Sequence, residues 1–434
     1  MNYSDAIRQA QADPRRLEEL YRAAEGPQDR ERFRAAMLAC HEQFPENLLY
    51  AAWYHRLEGE PQEEPATLAA ANWKLAIPLS LAAGLLLWLL SGPAAVFPSG
   101  EPLLLALWAP IEAVFVLAYM LGSARRPLRS YLPALLGLAL LTAVALAFSW
   151  RPRNDQYPLL MFIHLPAVAL SAVGLSAVGW RSGHSNRFAF LVKSLEVVAT
   201  GAIFGAAVAA FALITSGLFQ ALGINLSTAA LRLLFVGGAG AVPVLAVAST
   251  YNPAFDPLEQ RTSSGLGRLI PTVMWLLLPL SLVVGAIYLL AIPFNFMGPF
   301  RSRELLIVYN VLLFAVLALM VGATPVRPAN LPARLSKPLR TGILVLAVMA
   351  IVVSVYALSA TVYRTLQGFV TPNRLAVIGW NVVNVGILAL MVRRLVRRGA
   401  ADWIEAVHSA IGQGAMAYIA WTTFLVLALP LWFR

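Results

Sequence analysis

The chain has 434 residues, 59% hydrophobic and only 13% charged, against roughly 25% charged in a typical soluble domain. Its net charge of +11 is unevenly divided: residues 1–72 hold 8 Lys and Arg against 13 Asp and Glu, and residues 73–434 hold 25 against 9. This excludes an ordinary soluble enzyme, and a basic excess strung beside apolar runs instead of gathered on one folded face excludes nucleic-acid binding.

Residues 1–30 are polar and carry no apolar h-region, so the N-terminal head is expected to stay on the side of synthesis. Three short helices are predicted in it. Pro14 suits the first turn of a helix running to about Ala24, stopped by Gly26-Pro27. Phe33, Met37, Cys40 and Phe44 then form one apolar stripe at steps of 4, 3 and 4. After Pro45, the four-residue step recurs at Leu49, Trp53 and Leu57. These stripes can pack on each other, on the inner membrane surface, or on a cytosolic protein partner. Cys40, the single cysteine, reads as a small buried apolar residue. The acidic segment Gly59 to Pro65 (GEPQEEP) is a linker, giving a head of 1–65 and a body of 66–434.

The body offers eleven apolar runs: 73–97, 103–122, 131–149, 157–180, 190–219, 229–250, 269–293, 304–323, 341–363, 374–392 and 411–433. A helix needs about 20 such residues to cross a hydrocarbon core of about 30 Å. The fold class expected is therefore an all-α polytopic membrane protein with a small helical cytosolic head, in contact with membrane lipids. With the head inside, the inner loops hold 16 Arg and Lys, including Arg125, Arg126, Lys193, Arg261 and the run Arg393 to Arg398. The outer loops and C-terminus hold 7, among them Arg151, Arg153, Arg303 and Arg434. That bias follows the positive-inside rule and sets the C-terminus outside. Two glycine-rich stretches, Gly201-Ala-Ile-Phe-Gly205 and Gly237-Gly-Ala-Gly240, suit close helix approach within the bundle or at a dimer face.

Charges inside spans are costly and mark a bundle interior or a cavity. Glu112 falls mid-span, two residues after Pro110; Glu196 lies early in the fifth span and Arg232 early in the sixth. Those two spans run in opposite directions, so no Glu196–Arg232 bridge is expected. Glu112 carries two readings: a group that relays protons or binds a cation, or a carboxyl hydrogen-bonded to a neighbouring helix. Asn310, Asn381, Asn384 and Gln413 are expected to donate hydrogen bonds between helices. Five scattered histidines make no HxxxH or HExxH pair, and there is no Walker loop, GxSxG or GxGxxG, so no metal, cofactor or catalytic residue is assigned.

Residues 356–384 read YALSATVYRTLQGFVTPNRLAVIGWNVVN. Gly368 permits a turn, Thr371 suits an N-cap, Pro372 the first helical position, and Asn373 and Arg374 the first turn. An Arg at a helix N-terminus opposes the helix dipole unless it meets an anion. Arg364 and Arg374 therefore either form a positive outer pocket for phosphate, headgroup or carboxylate, or snorkel to lipid headgroups. The helix ending in an Arg-bearing turn, then the Gly to Thr-Pro-Asn-Arg segment, resembles the hallmark of a bacterial membrane family catalogued as domain of unknown function 4153. Leu269-Ile-Pro, Leu278-Pro-Leu and Tyr288-Leu are similar to that family's proline-punctuated helix. The resemblance covers roughly residues 75–430 and is sharpest at Thr371–Arg374. It implies a multi-span body of the bacterial inner membrane and supplies no catalytic residues.

Two function classes follow. One is a secondary transporter or a small-molecule- or lipid-binding body, with spans broken at Pro271, Pro279 and Pro293 and a polar cavity reaching Glu112. The other is a scaffold or signalling component whose head recruits a cytosolic partner; an enzyme acting on lipid ranks behind both. Reporter fusions test the topology: one at Gly399 is expected to report the cytoplasm and one at Arg434 the opposite side. Both reporting the same side refutes an odd span count.

Overall fold

The computed structural model describes residues 3–24, 27–59, 71–124, 127–150, 156–260, 266–301 and 303–433. Gly26, linker residues Glu60 to Pro65, and Arg125, Arg126, Arg151, Arg153, Arg261 and Arg434 lie outside them. The chain divides into two compact units, Met1–Ala70 and Ala71–Arg434.

The first unit holds four helices, not three: α1 (Tyr3–Gln9), α2 (Pro14–Ala23), α3 (Pro27–Gln43) and α4 (Leu48–Gly59). The unforeseen α1 is two turns long, too short to show a repeating stripe, but Tyr3 and Ile7 are buried. Asp13 caps α2 by accepting from the Arg15 and Arg16 N–H groups, with Pro14 in the first turn. The predicted stripes close on each other: Phe33, Met37 and Cys40 meet Tyr50, Trp53 and Leu57 in one core, while Phe44 stays outside at 45% exposed. Burial pushes the Cys40 thiol up from its usual range. At the surface Arg56 lies over the Trp53 ring, 4.4 Å from its centre. It also pairs with Glu18, and the Arg56 hydrogen bond holds that carboxyl below its usual range.

The second unit is an all-α bundle with, among the described residues, eleven helices long and apolar enough to cross a membrane; the protein is a multi-pass membrane protein. They are α5 (Trp73–Leu90), α6 (Leu103–Ser123), α7 (Leu132–Trp150), α8 (Gln156–Val178), α9 (His184–Ala221), α10 (Thr228–Thr250), α11 (Leu266–Ala291), α12 (Arg303–Ala323), α13 (Ala333–Leu366), α14 (Pro372–Arg398) and α15 (Trp403–Trp432). α5 stops short of residue 97 because Ser91-Gly92-Pro93 turns the chain, and Val96 pairs back on Pro102. α9 and α13 run longer than their apolar runs because helical hydrogen bonding continues into their polar ends. At 1.5 Å per residue, the 38 residues of α9 reach roughly 57 Å, well beyond a core of about 30 Å. The expected proline breaks do not occur. α11 runs unbroken through Pro271 and Pro279, and Pro293 falls in a 3-10 turn past its end. The irregular backbone lies elsewhere, in a π turn at Leu233–Gly237 of α10.

Loops joining alternate helices share one face, and hydrogen bonds between helix ends obey that alternation. On one face Arg327 Nη2 donates to the Leu258 carbonyl, Arg340 Nη2 to the Leu395 carbonyl, and Arg394 Nη2 to Gln413 Oε1. On the other, Trp88 Nε1 donates to the Ala229 carbonyl and Tyr356 to the Phe296 carbonyl. Within the bundle α5, α6, α7, α8 and α10 form one group and α11 to α14 another, with α9 and α15 touching both.

In lipid, apolar burial does not drive helix association, so close packing and polar contacts must. Both operate here. A Cβ on Gly84 of α5 would lie 2.2 Å from the Gly237 carbonyl oxygen of α10, and one on Gly240 would lie 3.0 Å from the Gly84 Cα. The second glycine-rich stretch is thus a tight helix crossing. The first is not: Gly205 has nothing within 4 Å of its Cβ position. Gly84→Ala is expected to destabilise by about 1–3 kcal/mol despite alanine's better helix propensity, because backbone blocks the new methyl. Gly205→Ala should be neutral. Thermal unfolding in detergent reads both, and equal effects would refute the crossing.

Candidate functional site

Several polar side chains inside the bundle are tied in pairs across helices. His164 on α8 uses both ring nitrogens: Nδ1 donates to the Leu160 carbonyl (2.6 Å), and Nε2 accepts from Trp380 Nε1 on α14 (2.9 Å). Asn381 Nδ2 donates to Asn310 Oδ1 at 2.8 Å, joining α14 to α12. Tyr418 on α15 donates to Asn384 Oδ1. Gln413 accepts from Arg394. All four amides therefore bond between helices, but only Asn381 as the expected donor in these pairs; Asn310, Asn384 and Gln413 accept.

Glu112 stands apart. It sits in the middle of α6, only 5% exposed, and neither carboxyl oxygen has a hydrogen-bond partner among the described residues. It lines a cavity of about 610 Å³ where α6, α8, α9, α10, α12, α14 and α15 converge, at the seam between the two helix groups. The wall is otherwise largely apolar, with Trp108, Phe190 and Phe314 among its aromatic members. Its polar members besides Glu112 are Lys193, Ser194, Tyr251 and Tyr418. The cavity thus reaches Glu112 as a transport reading requires, but its lining is apolar, not polar. Val198, Trp108 and Leu170 on its rim are 68%, 42% and 49% exposed, so the opening is bordered by side chains suited to acyl chains.

Lys193, which the sequence places in an inner loop, is a correction. Because α9 begins at His184, Lys193 lies three turns inside the helix, 4% exposed, with Nζ 2.8 Å from Glu196 Oε2. Glu196, 8% exposed, therefore has its counter-ion one turn away on its own helix. The signal is present as Lys and Glu at i, i+3 within the apolar run 190–219, where counting Lys193 among the inner-loop cations passes over it.

The remaining candidates cluster elsewhere. Arg232 Nη1 donates to Ser91 Oγ at 3.2 Å, tying α10 to the end of α5, and its Nε has no partner among the described residues. Thr371 Oγ1 accepts the Arg374 N–H at 3.3 Å as the N-cap of α14, with Pro372 in the first turn. The Asn373 N–H donates to Gln156 Oε1 at 3.4 Å. Arg374 Nη1 turns back to the Phe369 carbonyl at 2.8 Å, over Gly368, so its charge meets a carbonyl dipole at the helix start. Arg364 Nη1 is buried without a partner among the described residues. The structure brings Glu112 together with the Lys193–Glu196 helix, and Thr371, Asn373 and Arg374 at one turn; Arg232 joins neither. Among the described residues no group of three His, Cys, Asp or Glu side chains could hold a metal ion.

Comparison of the chain with family models, with curated proteins and with solved structures finds no match.

The Lys193–Glu196 pair makes a sharp expectation. Lys193→Met alone strands a buried carboxylate and should cost ~3–5 kcal/mol, whereas Lys193→Met with Glu196→Gln should recover most of it. A double-mutant cycle by thermal unfolding checks this; additive losses would mean that the two groups do not pair.

Proposed function

We propose that the body binds a lipid-soluble small molecule or lipid in the seam cavity, as a ligand-binding or secondary-transport protein of the bacterial inner membrane. In this reading the head lies in the cytoplasm and the C-terminus in the periplasm, as the arginine bias suggests. The observation that carries it is the 610 Å³ cavity with an unpartnered carboxyl in an apolar wall. Small-molecule sites have this character: mostly apolar, with a few polar groups that fix orientation. Placement between two helix groups supports transport, since relative motion of two bundles around a fixed site is how alternating access works. The resemblance of the Thr371–Arg374 turn to a multi-span bacterial family agrees with the location and adds no activity.

The scaffold alternative draws less support. The stripes that a partner of the head would use are consumed in the head's own core, leaving its charged surface to recruit one.

Native mass spectrometry from mild detergent tests the proposal. The full-length protein is expected to retain an apolar or amphipathic molecule, and Val198→Trp, a change at an exposed rim position, to lose it. Deleting residues 1–65 should leave it bound. A wild-type protein that holds no such molecule and takes up no added apolar dye would refute the cavity as a ligand site.

A further inference from the structure

The charges around the cavity narrow the ligand class, an argument that rests on the binding reading above. Three ionisable groups are buried at or beside the wall: Glu112, Lys193 and Glu196. Lys193 and Glu196 balance each other at 2.8 Å. That leaves one carboxyl with no compensation and no hydrogen bond. A bare carboxylate in such a wall costs several kcal/mol. Two things remove that cost: a proton, or a bound positive charge.

We infer that the cavity takes a lipophilic monocation, an amphiphile or organic cation whose positive group pairs with the Glu112 carboxylate and whose place a proton takes when the cavity is empty. The exchange balances: as the cation enters, the carboxyl O–H bond breaks and the proton passes to water, leaving the site neutral in either state. An anionic ligand has no such place. It would have to take Lys193 from Glu196, leaving that buried carboxylate without its counter-ion, while the protonated Glu112 offers no positive charge. The aromatic wall points the same way, because the faces of Trp108, Phe190, Phe314 and Tyr418 attract cations. The apolar rim at Val198, Trp108 and Leu170 admits a ligand dissolved among acyl chains.

Because cation and proton compete for one carboxyl, binding should weaken as pH falls. The other titratable groups facing Glu112 from the packed helices are Lys193 with Glu196 on α9, and the phenols of Tyr251 beyond α10 and Tyr418 on α15. His164 on α8 is occupied on both nitrogens.

The test uses size-matched probes of opposite charge, tetraphenylphosphonium and tetraphenylborate, with triphenylmethane as a neutral one. Equilibrium dialysis against the full-length protein in mild detergent reads all three. Tetraphenylphosphonium is expected to bind about tenfold or more tighter than tetraphenylborate. Glu112→Gln should lower its affinity about tenfold and abolish its pH dependence, while leaving triphenylmethane binding unchanged. The borate binding as tightly as the phosphonium would overturn the inference, as would full phosphonium binding by Glu112→Gln. The comparison of ions on the wild type needs no variant, so it stands even if the substitution fails to fold. Failure of all three probes would instead remove the cavity reading itself.

Discussion

Inside a hydrocarbon layer water is absent, so every polar group must find its partner within the protein. The backbone meets this demand by forming helices, which is why the body contains so little else. Side chains meet it by pairing across helices. Trp380 with His164, Asn381 with Asn310, Tyr418 with Asn384 and Arg394 with Gln413 are four instances. Each bond is modest in energy, yet each fixes the rotation of one helix against another. The same rule gives Glu112 its meaning. Other buried polar atoms, such as the Thr142 and Thr200 hydroxyls and Trp421 Nε1, also lack partners among the described residues. Those groups are neutral, whereas a carboxyl can carry a full negative charge.

Packing and polarity divide the labour. Where α5 crosses α10, glycine lets the backbones approach so closely that no side chain intervenes. Where α14 meets α12 and α15, hydrogen bonds hold the register beside close packing: Asn381 bonds Asn310, Tyr418 bonds Asn384, and Gly379 lies against the Trp421 ring. The seam where α9 passes between the groups has neither arrangement throughout, and a cavity remains there. Close contact on either side of the seam makes each group a separate packing unit, which is a precondition for motion of one against the other.

The spans were legible because a bilayer demands length and apolarity together, and few sequences supply both by accident. Their ends were less so. Helical hydrogen bonding does not stop where hydropathy falls, and α9 and α13 continue into charged turns. Lys193 lies within the fifth apolar run, 190–219, and counting it with the inner-loop cations hid its pairing with Glu196. Proline misled in the opposite sense. Pro271 and Pro279 look like breaks, but a helix can continue through proline where its neighbours satisfy the freed carbonyl. In the head α1 was missed because two turns are too few for a repeat. The Thr371 cap and Pro372 were readable because capping is local chemistry, settled within four residues. The cavity was not readable at all: it arises from seven helices spread along the sequence, and no local pattern encodes the space between them.

The Lys193–Glu196 pair shapes the site without being its open group. A lysine alone on the wall would make an anion trap, and a glutamate alone would double the negative charge. Set one turn apart on α9, they cancel, and both stay buried at the cost of a single rigid geometry. The electrostatic character of the cavity then falls to Glu112 on α6, a helix of one group, while the neutralised pair sits on α9, which touches both. Charge selection and charge neutralisation thus sit on different helices. Any shift of α6 against α9 changes how far the open carboxyl lies from the neutralised pair, and with it how strongly the site holds a positive charge. Opening the seam would therefore alter affinity as well as access, which is what coupling a bound charge to a conformational change requires.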